Sequence, residues 1–141
     1  MKSFISCITV SALVLLSAVC HADKAIIVSK NNPNSSITAA DVQKIYLAKT
    51  NTFPGGGEVV PVSQDEKSDI YTAFLTAVIQ KTPEQYKSYW AKMIFTGQGQ
   101  PPKQVSGGDA AVVKLVAENP ALIGYVDAAA VNDSVKVLSK F

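Results

Sequence analysis

The stretch Val62–Leu75, "VSQDEKSDIYTAFL", reads as the end of a strand turning directly into a helix that Ser68 caps. A strand that hands over to a helix within a few residues is the repeating joint of layered α/β domains. The first amides of such a helix lack intrahelical partners, and its dipole is positive there, so the joint can cradle an anion. Here, however, the turn carries Asp65 and Glu66.

Outward from this joint the pattern repeats. "KAIIVSK" at Lys24–Lys30 is a β-branched run closed by the turn residues "NNPNSS". Thr38 stands as a helix N-cap with Asp41 three residues on, and Val42, Ile45 and Tyr46 follow at helical spacing to about Ala48. "NTFPGGGE" is a loop, and "EVVPVS" is a second strand whose Pro61 suits an edge or a strand end. After the opening joint, Ile70, Phe74, Ala77 and Val78 share one helix face. Thr82, Pro83 and Gln85 mark the next helix start, with Tyr86, Tyr89, Trp90, Met93 and Ile94 as its core stripe. "TGQGQPPKQVSGG" is a long loop, either a crossing at the domain edge or a partner contact; Ser106 caps a further helix with Asp109 at its third position. "ALIGYVD" and "SVKVL" close the chain as short strands.

The N-terminus has a different character. One lysine, an apolar run over Ile8–Val19 and small residues ending at Ala22 form a secretory signal, with cleavage expected after Ala22. Residues 1–22 are thus a signal peptide, and 23–141 form one domain with no further membrane span. Cleavage removes Cys7, Cys20 and His21, and the chain has no arginine. The mature protein is left without thiolate or imidazole metal ligands, disulfides, a histidine base or a guanidinium fork. No cofactor or metal is expected, and no enzyme activity. Asp65, Glu66 and Asp69 are close enough in sequence for acid–base chemistry, but read as solvated acids at a helix start. Gly55–Gly57 lacks the Gly-Lys-Ser/Thr of a phosphate loop. The charge is nearly balanced, without a basic run, so nucleic acid is not an expected partner.

"DVQKIYLAKTNTFPGG", "YWAKMIFTGQGQPPKQV" and "NPALIGYVDAA" occur in an order that resembles the phosphate-type periplasmic substrate-binding proteins, and the mature chain resembles their short, one-lobe members. The resemblance implies one α/β lobe of a type II periplasmic binding protein, a small mixed sheet flanked by helices, the equivalent of the second lobe of a full-length relative. It also implies a periplasmic location and a place in phosphate ABC transport.

Full-length members set an arginine ahead of a Ser-Gly-Thr turn at the equivalent helix. Aligning "YTAFL" puts Pro61 in the arginine's place and Asp65, Glu66 and Lys67 over the hydroxyl turn. What remains for an oxyanion such as phosphate is Ser63, Gln64, Lys67, Ser68 and the free amides. Because a clamp needs two walls to strip water from its ligand, dimerisation or a second protein is expected to complete the cleft. The alternative is a structural or protein-interaction lobe that has dropped the ligand.

Overall fold

A computed structural model of the chain describes residues 23–141; the expected signal peptide, residues 1–22 with Cys7, Cys20 and His21, lies outside them. The elements in order are β1 (Lys24–Ser29), α1 (Ala39–Tyr46), β2 (Val60–Ser63), α2 (Asp69–Phe74), α3 (Pro83–Phe95), β3 (Lys103–Gln104), α4 (Gly108–Glu118), β4 (Leu122–Asp127) and β5 (Val135–Lys140). A π-helical segment, Leu75–Ile79, continues α2, and a 3₁₀ turn, Ala128–Ala130, follows β4.

The five strands form one open mixed sheet in the order β3-β2-β4-β1-β5. β2 runs parallel to β3 and β4, while β1 is antiparallel to β4 and β5. Helices cover both faces, so β1 and β4 are apolar in nearly every residue instead of alternating. On one face Ile26, Val28, Ile123 and Tyr125 pack under α1, α2 and α3; on the other Ala25, Ile27, Val62 and Val126 pack under α4. Among the described residues no helix is long and apolar enough to cross a membrane.

Local chemistry sets most of the boundaries. Thr38 Oγ1 accepts from the Asp41 amide at 3.1 Å, and Ser68 Oγ from the Tyr71 amide at 3.4 Å. Thr82 and Gln85 complete a capping box, each side chain bonded to the other's backbone amide, with Pro83 opening α3. Pro61 is tolerated inside β2 because pairing to β3 begins only at Val62. Val60 donates to Ala121 on the β4 side, so alternation turns the proline nitrogen to the side where no strand yet lies.

Four expectations are corrected. Ala77 is exposed, and Leu75 and Ile79 are buried in its stead, because the wide π turn rotates the apolar face after Phe74. Gln43 Nε2, reaching from α1, takes up the Ile79 carbonyl at 2.8 Å. Ile94 is exposed instead of continuing the stripe of Tyr86 and Trp90. The loop after α3 contains β3. Finally, α4 is capped by Gly107 and not Ser106: the chain enters the helix at φ 109°, a left-handed approach that favours glycine, and Asp109 becomes the second helical residue.

Gly124 shows how closely α4 sits on the sheet. A Cβ there would lie 2.8 Å from Val112 Cγ1 and 3.1 Å from Val62 Cγ2. Gly124→Ala is expected to cost about 1–3 kcal/mol by overpacking. Urea unfolding should register that loss, and a Val112→Ala background should shrink it, since the nearest methyl is then gone.

Candidate functional site

The parallel pair β2 and β4 is in register at Val60↔Leu122 and Pro61↔Ile123, and beyond this the strands part at their carboxyl ends. Side chains replace the missing ladder. The Tyr46 hydroxyl, rising from α1, donates to Val62 O at 2.7 Å and reaches Ile123 O at 3.2 Å. Gln64 Nε2 donates to Tyr125 O at 2.8 Å, and the Gln64 amide donates to the Tyr125 hydroxyl at 3.1 Å. That hydroxyl also lies 2.8 Å from Ser63 Oγ. A crevice outside the carboxyl ends of parallel strands is where open α/β sheets bind ligands.

The four sequence-predicted residues sit together at this point. Ser63 ends β2, half-buried against Tyr125. Gln64 is 3% exposed, and its carboxamide also donates to Asp109 Oδ1 at 2.6 Å. Asp109 Oδ2 in turn accepts from the Asp127 amide at 3.3 Å, joining the first turn of α4 to the end of β4. Lys67 is exposed. Ser68 Oγ donates to Asp65 O at 2.6 Å besides capping α2.

The turn between them closes on itself. Asp65 Oδ1 accepts from the Lys67 amide at 2.9 Å, and Asp65 O accepts from the Ser68 amide at 2.9 Å. A carboxylate of the chain therefore occupies an amide that a bound oxyanion would use. Sequence reasoning missed Tyr46, Tyr125 and Asp109 as the residues that hold this turn. Its one available signal was a tyrosine in the middle of an apolar strand, whose hydroxyl must find a partner once buried.

Burial raises the tyrosines around the site. Tyr46 is pushed well above its ordinary value of 10.0 by desolvation, reinforced by Tyr125 and Tyr86. Tyr125 is raised by burial while its bonds to Ser63 and to the Gln64 amide pull the other way. Tyr71 is pushed up to about 12, by burial first and then by the Glu66 carboxylate. Tyr86 is raised by burial, and the Trp90 side chain opposes the shift. The Trp90 indole N–H is itself buried without a well-formed hydrogen bond. Among the described residues no group of three His, Cys, Asp or Glu side chains is placed to hold a metal ion.

No family model matches the sequence, and no curated protein matches it either. Solved structures do. A Clostridium perfringens protein described as a phosphate ABC transporter substrate-binding protein, solved with bound phosphate, superposes with a TM-score of 0.67 at 27% identity, over 84% of this chain and 45% of that one. The chain folds as one lobe of a phosphate-type substrate-binding protein.

An ABC-type phosphate transport receptor from Vibrio cholerae matches at TM-score 0.54 and 17% identity, over 84% of this chain and 46% of its own. The PstS protein of Borrelia burgdorferi matches at 0.60 and 18%, over 84% and 47%. At these identities the two carry the fold alone. The phosphate-type lobe thus spans just under half the length of the structures it matches.

Proposed function

We propose that the protein is a non-enzymatic, exported binding lobe that contacts phosphate or a similar small oxyanion weakly and serves phosphate uptake or sensing as an accessory component in the periplasm. The observation that carries this reading is its likeness to half of a phosphate-bound substrate-binding protein. Lys67 supplies the cation and Ser63 a hydroxyl at the carboxyl end of β2, while Gln64 and Ser68, whose donors are taken by Tyr125, Asp109 and Asp65, shape the turn that presents them. A single wall leaves the anion half in water, and Asp65 competes for the Lys67 amide. Weak binding follows, with the ligand's remaining contacts left to a second wall.

The same bond favours a second reading. A turn already satisfied by its own carboxylate needs no ligand, which supports a lobe kept for protein interaction.

Phosphate titration followed by amide chemical shifts separates the two. On the first reading, Gln64–Ser68 move at millimolar phosphate. Asp65→Ala then binds several-fold more tightly, because removing one close carboxylate in a partly wet site relieves roughly 1 kcal/mol. Movement only in Asp65→Ala, or in neither protein, favours the interaction lobe.

A further inference from the structure

Between α3, the start of α2 and the segment 101–104 lies a groove of about 420 Å³. Tyr71, Tyr86, Trp90, Ile94, Pro101 and Pro102 wall it with aromatic and aliphatic surface, the composition found at the centre of protein interfaces. Beside it stands a knob. Phe95 is 92% exposed, and its neighbour Ile94 is 57% exposed. Phe95 lies one helical turn beyond Ala91 and next to Ile94, both of which line the groove, so its position on α3 borders the groove. A phenyl ring so exposed contributes nothing to the core of its own lobe. Glu66 and Lys87 also line the groove; both are exposed, and neither forms an ion pair among the described residues.

We infer that two copies of this chain pair face to face across this groove, each setting its Phe95 into the groove of the other, with Glu66 of one copy against Lys87 of the second. A two-fold interface uses the same patch twice and must be self-complementary. A patch with a knob, an adjacent hole and unpaired charges of both signs meets that demand. An apolar patch open to water is otherwise unfavourable. The inference rests on the proposed function in one respect: it names a second copy as the second wall, because Ser63 and Gln64 line the same groove.

The test is the solution mass of the exported protein, without added ligand, across a micromolar concentration series by sedimentation equilibrium. The mass should rise to that of two chains. Phe95→Ser, an exposed position that leaves the lobe's core untouched, should weaken association at least tenfold. Glu66→Lys and Lys87→Glu should each weaken it, and the double exchange should restore it. Emission from Trp90, the single tryptophan, should shift along the same concentration curve. A single-chain mass throughout overturns the inference, as does a dimer indifferent to Phe95→Ser. Neither result depends on phosphate: a dimer that binds no anion removes only the oxyanion reading, and a monomer that binds one removes only the pairing.

Discussion

Above about pH 10 the protein is expected to lose stability steeply and to unfold in one cooperative step by about pH 12. The sign follows from the neutral form of tyrosine being the buried one. Tyr46, Tyr86 and Tyr125 are all raised above 10.0 mainly by burial, and Tyr71 is pushed up to about 12. Below pH 10 both folded and unfolded chains hold these protons, and the contribution is fully present. Between the unfolded value and the raised ones only the folded chain keeps them, so each tyrosine removes about 1.4 kcal/mol per pH unit. Tyr46 and Tyr86 together remove about 3 kcal/mol per unit, with Tyr125 adding to the fall until it titrates, against a total stability of about 5–15 kcal/mol for an ordinary domain. Urea unfolding at a series of pH values should give a flat profile up to about pH 9.5 and a steep fall beyond it. Tyrosinate absorbance should appear together with the loss of circular dichroism. Titration of these tyrosines near their ordinary value in a chain that stays folded would refute the account.

Those tyrosines also mark where the sequence was legible and where it was not. Thr38, Ser68 and Thr82 announced their helices because a cap is chemistry within three residues, and the structure uses each side chain as a cap. The α/β layering was legible for the same reason: apolar runs, turn residues and caps alternate along the chain. The π segment was not, since Ala77 and Leu75 exchange places through one wide turn that leaves no trace in apolar spacing. β3 is two residues long and so has no period to detect. Gly107 displaces Ser106 as the cap through a backbone angle, and Ser106 gave a competing local signal. At the site, the presence of Asp65 in the turn could be read directly, but not that its carboxylate would fold back onto the Lys67 amide. The bonds from Tyr46 to Val62 and Ile123 join residues 16 and 77 positions apart, and no local pattern encodes them.

Phe74→Ala is expected to cost about 3–5 kcal/mol, the usual range for a buried phenyl ring and a large share of the whole stability. Phe74 stacks on Tyr125 with centroids 4.0 Å apart and planes 7° from parallel, and meets Tyr46 edge-on at 4.7 Å and Phe141 at 5.5 Å. It is also the last α-helical residue before the π segment, so its ring anchors that change of helix type to the sheet. Collapse can fill little of the space left behind, because Tyr46 is fixed by its bonds to two strand carbonyls and Tyr125 by those to Ser63 and Gln64. The urea midpoint should therefore fall with little change in slope. Water entering the cavity would ease the desolvation of both tyrosines and bring their titration back toward 10. The deficit of Phe74→Ala should consequently be greatest near neutral pH and narrow as the pH passes 10, because the wild type then loses stability faster than the variant. A deficit that stayed constant through the alkaline range would mean that the ring packs against Tyr46 and Tyr125 without keeping them dry, and the coupling between aromatic packing and proton retention would be lost.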